Sequence, residues 1–233
     1  MEDAVGFDEF DVELDEKMPL IGDKAPEFHA STTSGEINFP EDFLGSWVVL
    51  FSHPSDFTPV CTTEFVAFQN TISDFEKMNV RLLGLSVGGL SSHLGWLDAI
   101  AKMPNGAEIT FPVIDDLSMQ IAKKYGMIHK KSADTHAVRA VFIIDTKSVI
   151  RAILYYPASL GRNMSEIWRM LVGLQTTDVF GVATPVNWMP GDDVLGVAPT
   201  TAVAMRNNKE NNPWFMTYKK LDKAKIYEKI CKK

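Results

Sequence analysis

Two kinds of apolar pattern alternate along this chain. Some segments are apolar at nearly every position, which is typical of strands that are buried on both faces. In others the apolar residues recur every three or four positions, as they do on one face of a helix. The continuous segments are residues 47–52, 80–87, 138–144 and 149–155. The helical patterns follow Cys61, Ser91, Asp116 and Asn163.

Turn-forming residues divide the predicted strands. Ser34-Gly35 predicts a small hairpin over residues 32–37, and residues 145–148 predict a second hairpin between the last two apolar segments. Pro112 indicates that the short strand 111–114 either lies at an edge or begins at this residue. The resulting order of strands and helices predicts an α/β sandwich with a mixed central sheet, which is a thioredoxin-like fold.

The limits of the helices follow from residues that cap or stop them. Ser91 and Asn163 are predicted to cap the helices that they precede. A further helix is predicted over residues 117–125, after Asp116, because Gly126 is suited to end it.

The pattern changes after Thr184, where prolines and glycines interrupt every long element. We therefore predict one domain over residues 18–183 and an arm over residues 184–233 that cannot fold alone. The arm is predicted to end in a basic helix over residues 221–233.

Charge is concentrated at the start of the chain. The net charge is −7 at pH 7, and residues 1–17 alone hold eight acids and one base, so the remainder is close to neutral. We predict that residues 1–17 form a solvated, mobile extension, with a docking role as the alternative. The lack of a basic face argues against nucleic-acid binding. No apolar run is long enough to cross a membrane, and the acidic start does not resemble a secretory signal.

The chain contains two cysteines, Cys61 and Cys231. Two are too few for a disulfide scaffold, so we expect a reducing, cytoplasmic location. Cys61 follows a predicted strand and opens a predicted helix. Pro59 suits the first helical position, which makes Thr58 the N-cap and places Cys61 third in the helix. There the free N–H groups and the helix dipole favour the thiolate, which is the nucleophilic form.

The alternative for Cys61 is a small buried apolar residue, which is how most single cysteines serve. Its neighbours are threonine, proline and aspartate rather than a continuous apolar run. Pro54 and Pro59 also restrict the preceding loop, as a preorganised site requires. These features favour a reactive thiol, but thiolate formation alone accounts for only a small part of a typical enzyme's acceleration.

The segment from Pro54 through Thr58 to Cys61 resembles the active-site signature of the peroxiredoxins, and the wider string from His53 to Glu64 resembles their one-cysteine branch. The resemblance covers most of residues 18–200 and is specific because several blocks occur in order. The further blocks are residues 138–145, Tyr156-Pro157, Gly161-Arg162-Asn163, Ala183-Thr184-Pro185 and Trp188.

The resemblance implies a thiol peroxidase that reduces hydrogen peroxide and alkyl hydroperoxides without a cofactor or metal. Cys61 would attack the peroxide and become a sulfenic acid. Thr58 would hydrogen-bond the peroxide, Arg139 would hold the thiolate and the polarising O–O bond, and Pro54 would shield the pocket from water.

Three further residues complete the implied site. Glu64 and Arg162 would orient Arg139. His53 is expected at the pocket rim, where a catalytic role and a structural role are both open. Without the resemblance, Arg139 would be interpreted as an edge residue with its charge in solvent, and Glu64 as a partner of the helix dipole.

One feature departs from the two-cysteine members of the family. Thr184 stands where those proteins have a resolving cysteine, so another thiol must reduce the oxidised Cys61. Cys231 is a possible resolving residue because the flanking lysines are expected to lower its pKa; the alternative is an unpaired terminal thiol. The resemblance also implies an external thiol reductant and a homodimer, which can assemble into a ring.

The homodimer is expected to form by edge pairing of strand 149–155, with the arm crossing onto the partner chain.

Other functions for Cys61 remain open from the residues alone. A redox sensor or an oligomeric holdase chaperone would use the same oxidation without turnover. A cysteine hydrolase would need an orienting partner and an oxyanion hole that the sequence does not reveal. A disulfide oxidoreductase is disfavoured because the chain has no Cys-x-x-Cys.

Overall fold

A computed structural model describes residues 18–132, 135–207 and 213–231. The predicted acidic extension, residues 1–17, lies outside the described residues. Within these ranges the chain forms nine strands, which are β1 Phe28–Thr32, β2 Gly35–Phe39, β3 Trp47–Ser52, β4 Val80–Ser86, β5 Val113–Asp115, β6 Arg139–Ile144, β7 Ile150–Tyr156, β8 Val194–Leu195 and β9 Tyr218–Lys219. The helices are α1 Pro59–Lys77, α2 Leu90–Ala101, α3 Gln120–Lys124, α4 Met164–Phe180, α5 Ala202–Asn207 and α6 Lys223–Ile230, and a 3-10 turn spans Glu41–Phe43.

Seven strands form the central sheet in the order β2-β1-β5-β4-β3-β6-β7. Strands β3, β4 and β5 are parallel to one another, whereas β6 and β7 continue the sheet in antiparallel pairing. The predicted mixed α/β sheet is confirmed. Strand β7 lies at one end of this order, as expected for an edge strand, and β3 lies well inside the sheet.

The alternation of side chains along β3 divides the interior into two cores. Every residue of β3 is buried. Val49 and Phe51 face the core that contains Phe65 of α1, whereas Val48 and Leu50 belong to the core on the other face of the sheet. Because successive strand residues point to opposite faces, a continuous apolar run serves both cores. This burial fixes the end of β3, from which the loop to Cys61 starts.

Two predicted element limits were wrong. Ser91 does not cap α2, because the helix already starts at Leu90. The carboxylate of Asp115 on β5 accepts the N–H of Leu90 at 2.9 Å. The helix predicted over residues 117–125 is reduced to Gln120–Lys124, because Met119 takes a left-handed conformation before it. By contrast, Asn163 caps α4 as predicted, since its side chain accepts two backbone N–H groups.

Strand β5 shows whether Pro112 marks an edge strand or the start of a strand. It lies between β1 and β4 rather than at an edge, and it begins directly after the proline. A proline at the start of a strand removes no hydrogen bond from the ladder that follows.

Both ends of the C-terminal arm pack on the core of their own chain. Trp188, Val194 and Ile226 are buried in the same core as α1. Helix α6 is shorter than predicted and is capped by the side chain of Asp222. Crossing of the arm onto a partner chain, and the division of the chain at residue 184, stay predictions. None of the helices in the described ranges has the length and apolar character needed to cross a membrane.

Candidate active site

The start of α1 places Cys61 as its sequence predicted. Thr58 is the N-cap residue in an extended conformation, Pro59 is the first helical residue, and Cys61 is the third. Cys61 is fully buried. The side chain of Thr58 does not cap the helix; its hydroxyl donates to the carbonyl of Ser55 at 2.9 Å. Because that bond uses the only hydroxyl proton, the lone pairs of Thr58 Oγ1 remain able to accept a hydrogen bond.

Arg139 connects the sheet to the thiol. It is the first residue of β6 and is only 2% exposed, so its charge is not in solvent. Its Nη1 donates to Cys61 Sγ at 3.3 Å and to Glu64 Oε2 at 2.7 Å. Its Nε and Nη2 both donate to the carbonyl oxygen of Ala158, at 3.1 and 2.8 Å. The guanidinium is therefore fixed on two sides while one of its edges faces the sulfur.

Glu64 lies one helical turn after Cys61 and accepts hydrogen bonds from two arginines. Arg162 contacts both carboxylate oxygens, with Nη2 to Oε2 at 2.6 Å and Nε to Oε1 at 3.0 Å. Its Nη1 donates to the carbonyl oxygens of Ser52 and Ala140. Burial lowers the pKa of Arg162, and the charge and hydrogen bonds of Glu64 oppose this shift. The structure thus brings together Cys61, Arg139, Glu64 and Arg162.

The charged side chains of this cluster do not balance one another. Two guanidinium groups and one carboxylate leave a single positive charge among the buried side chains. Buried charges require a compensating partner, since their hydration has been lost. A negative charge on the Cys61 sulfur would supply that partner.

Ser52, the last residue of β3, bonds to the backbone on both sides of Arg139. Its hydroxyl donates to the carbonyl of Val138 at 2.6 Å and accepts the N–H of Ala140 at 3.0 Å. These bonds flank Arg139 in the chain. Neither Ser52 nor the Ala158 carbonyl was predicted: a serine at a strand end carries no distinctive signal, and a backbone carbonyl carries none at all.

The expectation that His53 lies at the pocket rim is wrong. The ring is fully buried and its Nε2 contacts Asp56 Oδ1 at 2.9 Å. Burial lowers the pKa of His53, and the carboxylate of Asp56 opposes this shift. His93, which sequence reasoning did not select, is also fully buried and reaches Asp56 Oδ2 at 2.8 Å. Pro54 lies between His53 and Asp56 and is half-buried.

Asp56 keeps its charge despite its burial. Burial alone would raise its pKa, but hydrogen bonds from His53, His93 and Ser92 hold the pKa well below its usual range. The distance from Ser92 Oγ to Asp56 Oδ2 is 2.6 Å. The carboxylate therefore receives donors from its own loop and from α2.

Cys231 lies far from Cys61. Its sulfur interacts electrostatically with Asp74 and Lys77, near the end of α1. At a rise of about 1.5 Å per residue, those residues lie roughly 20 Å along the helix axis from Cys61. A disulfide needs Cα atoms within about 7 Å, so the structure does not bring the two thiols together within one chain.

The lowered pKa expected for Cys231 is not what the described residues give, and of its flanking lysines Lys232 and Lys233 lie outside them. Burial raises the pKa of Cys231, and Lys77 on α1 acts in the opposite sense. The lysine is already paired with Asp74 at 2.8 Å, which limits its effect on the sulfur. The structure therefore contains one thiol in a cationic site and one in a partly apolar position. In the described ranges, no group of three or more His, Cys, Asp or Glu side chains is placed to bind a metal ion.

Comparison with known protein families covers both parts of the chain. A family model described as the AhpC/TSA family matches residues 21–153. A second model, described as the C-terminal domain of 1-Cys peroxiredoxin, matches residues 173–209. The first match includes Thr58, Cys61 and Arg139, and the second includes Thr184.

Individual relatives match over most of their length. A peroxiredoxin of Methanosarcina mazei is 53% identical over 215 residues, which cover 87% of this chain and 98% of the relative. A peroxiredoxin of Aquifex aeolicus is 54% identical over 173 residues, covering 74% and 78% of the two chains.

A solved structure of a yeast mitochondrial 1-Cys peroxiredoxin, concerned with its thiol resolving mechanism via glutathione/thioredoxin systems, matches with a TM-score of 0.76 at 40% identity. It covers 88% of this chain and 100% of the yeast chain. This likeness confirms the thioredoxin-like fold.

Proposed function

The chain belongs to the peroxiredoxin family and is a thiol-dependent peroxidase, and we propose that Cys61 is the residue that attacks the peroxide. The observation that carries this proposal is the contact of Arg139 Nη1 with Cys61 Sγ at 3.3 Å. A guanidinium fixed beside a buried sulfur offers a charge-assisted hydrogen bond to the thiolate that attacks the peroxide. In the described part of the chain, the cation beside Cys231 is Lys77, which is already paired with Asp74.

The reaction transfers one oxygen atom to the sulfur. The Cys61 thiolate attacks the terminal oxygen of the hydroperoxide, so an S–O bond forms as the O–O bond breaks. The sulfur is oxidised to a sulfenic acid, and the peroxide is reduced. The leaving oxygen takes up one proton and departs as water from hydrogen peroxide or as an alcohol from an alkyl hydroperoxide.

The surrounding residues act on the charge that moves during this step. We propose that Arg139 stabilises negative charge as it passes from the sulfur to the leaving oxygen. Thr58 Oγ1, whose proton is committed to Ser55, accepts a hydrogen bond from the peroxide O–H. Pro54, which belongs to the same loop as Thr58, excludes water from the pocket.

Glu64 and Arg162 act on Arg139 rather than on the peroxide. Glu64 lies between the two guanidinium groups and is bonded to each of them within 2.7 Å. This contact prevents Arg139 from rotating away from the sulfur. A fixed donor is more effective than a mobile one because it needs no reorganisation during the reaction.

A thiol outside this chain is proposed to complete the cycle. It attacks the sulfenic acid, which releases water and forms a mixed disulfide with Cys61. A second thiol then releases Cys61 in its reduced form and leaves as the disulfide of the reductant. Thr184 at the position of a resolving cysteine supports this proposal, as does the glutathione and thioredoxin connection of the yeast relative.

We further propose that the chain forms a homodimer through the exposed edge of β7 and can assemble into a ring of dimers. Support comes from the position of β7 at the end of the sheet. At its first residue the outer edge is already covered, because the N–H and carbonyl of Ile150 bond to Asp23 and Gly22, so the proposed pairing involves the residues that follow. A cytoplasmic location remains a proposal that rests on the small number of cysteines. A role as redox sensor or holdase is not favoured, because the relatives are peroxiredoxins over nearly their whole length.

Turnover tests the proposed function. With excess thiol reductant, we expect the protein to consume many equivalents of hydrogen peroxide per chain, and Cys61→Ser to consume none above background. Consumption that stops after one equivalent, with thiol still in excess, would favour a sensor instead. Equal activity of the wild type and Cys61→Ser would overturn the assignment of Cys61.

A further inference from the structure

A buried carboxylate connects the active-site loop to helix α2. Asp56 Oδ1 contacts His53 Nε2 within the loop, at 2.9 Å. Asp56 Oδ2 contacts His93 Nδ1 at 2.8 Å and Ser92 Oγ at 2.6 Å, and both of these residues belong to α2. The Asp56 side chain thus connects the loop 53–58 to α2 by hydrogen bonds. None of these bonds involves the sulfur.

The hydrogen bonds of His93 require a proton on each ring nitrogen. Its Nδ1 faces the Asp56 carboxylate and its Nε2 faces the carbonyl oxygen of Ile114, at 3.1 Å. A carbonyl and an ionised carboxylate accept hydrogen bonds and cannot donate them. His93 satisfies both only as an imidazolium, so its bond to Asp56 is a buried pair of charges. Such bonds are stronger and more directional than neutral ones.

The residue after Asp56 has an unfavourable backbone conformation. Phe57 has a φ of 54°, in the left-handed region that a bulky side chain rarely occupies, and 62% of the residue is exposed. Its own side chain therefore contributes little burial to hold it there. Such conformations persist only where surrounding contacts enforce them. Asp56 is fixed on one side of Phe57, and Thr58 follows on the other.

We propose that Asp56 and His93 are positioning residues for the peroxide step, and that their ion pair holds the loop so that Thr58 is correctly placed relative to Cys61. This inference rests on the proposed peroxidase function of Cys61. A displacement of Thr58 leaves the sulfur and Arg139 in place but removes the acceptor that orients the peroxide. The pair therefore acts on the reaction through Thr58.

The same bonds have an opposite consequence for the thiol reductant. Cys61 is fully buried, so every reagent needs some movement of the surrounding residues, and a thiol larger than hydrogen peroxide needs the larger movement of the loop. Loosening the loop should therefore slow the reaction with peroxide and leave the reaction with a thiol unchanged or faster. A general loss of stability would not produce this split.

The test compares two neighbouring serines of α2. Ser92 donates to Asp56, whereas the hydroxyl of Ser91 has no hydrogen-bond partner in the described part of the chain, and both residues are exposed. Ser92→Ala is the test variant and Ser91→Ala is its matched control. His93→Gln and Asp56→Asn remove the charged bond itself. All variants are made in a Cys231→Ser background, so that Cys61 is the only thiol measured.

Three rates are measured for each variant: oxidation of Cys61 by hydrogen peroxide, alkylation of Cys61 by iodoacetamide, and reduction of the sulfenic acid by a small thiol. We expect oxidation to fall about threefold in Ser92→Ala and about tenfold or more in His93→Gln and Asp56→Asn, because small misplacements are costly in preorganised sites. Alkylation and thiol reduction should be unchanged or faster. Ser91→Ala should match its background in all three.

The outcomes separate this inference from the proposed function. If the Cys231→Ser background itself does not react with peroxide, the proposed function fails and this inference fails with it. If the background reacts and both Ser92→Ala and His93→Gln stay within twofold of Ser91→Ala, only the positioning role is overturned. The positioning role would also be overturned if the rates of Cys61 oxidation and Cys61 alkylation fell together in these variants. Should Asp56→Asn not fold, the exposed Ser92→Ala still decides.

A second measurement addresses the charge of His93 without reference to activity. Nitrogen-15 chemical shifts of the histidine rings at neutral pH distinguish a protonated nitrogen from a bare one. We expect both ring nitrogens of His93 to be protonated and His53 to show one bare nitrogen. A bare nitrogen on His93 would contradict the ion pair.

Discussion

The two cysteines of this chain lie near opposite ends of the same helix. Cys61 is in the first turn of α1, beside Arg139, whereas Cys231 lies near the last turns of α1, beside Asp74 and Lys77. The free N–H groups at the start of a helix favour a negative charge and the free carbonyls at its end disfavour one. One helix thus offers its two neighbouring thiols opposite electrostatic surroundings.

The more deeply buried of the two thiols is the one that contacts a guanidinium. Burial raises the pKa of Cys231, and the nearby Lys77 is already paired with Asp74. Cys61 has no exposed surface, but the guanidinium of Arg139, which also pairs with Glu64, faces its sulfur. The comparison teaches that the charged groups around a buried thiol, rather than its exposure, set the two positions apart.

The largest expected difference between the two ends comes from removing each sulfur. Cys61→Ser should lower peroxidase activity by about 1,000-fold or more, since the nucleophile is lost. Cys231→Ser should change it less than about twofold, because its sulfur lies roughly 20 Å along α1 from Cys61. Steady-state peroxide consumption with a thiol reductant measures both. A large loss in Cys231→Ser would show that the two ends cooperate.

The charge balance at the Cys61 end can be broken through Glu64. Glu64→Gln leaves two buried guanidinium groups without their shared carboxylate, which should lower the free energy of unfolding by about 3 kcal/mol. Glu166→Gln is the matched control, because Glu166 pairs with Arg169 in a much more exposed position and should cost less than about 1 kcal/mol. Urea unfolding at neutral pH compares them. Equal losses would mean that the buried cluster is not balanced by Glu64.

The geometry at the Cys61 end can be tested while its charge is kept. Arg139→Lys retains a positive charge but loses the planar group that contacts Cys61, Glu64 and Ala158 together, so peroxide reduction should fall about tenfold or more. Arg151→Lys is the control, because Arg151 binds Asp178 in a similar bidentate way outside the site. Near-normal rates for Arg139→Lys would remove Arg139 from the catalytic residues.

The smallest expected effect concerns the Cys231 end. A thiol with a raised pKa is mostly protonated at neutral pH, so in Cys61→Ser the alkylation of Cys231 should rise with pH to a midpoint above the value of about 8.5 for a free thiol. The urea-unfolded chain is the control and should show the ordinary midpoint. A native midpoint below the unfolded one would mean that Lys77 outweighs burial.

Local sequence was sufficient to predict the start of α1. Pro59 and Thr58 set the first helical residue and the N-cap, and both positions were confirmed, as was the apolar strand β3. These features depend on a few neighbouring residues, so short-range preferences determine them. The contact of Arg139 with Cys61 joins residues 78 positions apart, and the family resemblance rather than any local pattern pointed to it.

The features that sequence reasoning missed all depend on distant partners. His93 gave no signal because its role requires Asp56, which lies 37 positions earlier. The carbonyl of Ala158 has no side-chain identity to recognise. The basic sequence around Cys231 suggested a lowered pKa, but packing against the core raised it. Burial outweighs the effect of Lys77, the cation that the described residues place near this sulfur.

The most direct test of the difference between the two thiols is mass spectrometry after one equivalent of hydrogen peroxide. The reduced protein is treated at neutral pH with dimedone present to trap sulfenic acid, and each cysteine peptide is quantified. The charge balance at Arg139 predicts dimedone on Cys61 and an unmodified Cys231. Oxidation of Cys231 in preference to Cys61, or a Cys61–Cys231 disulfide within one chain, would contradict the account.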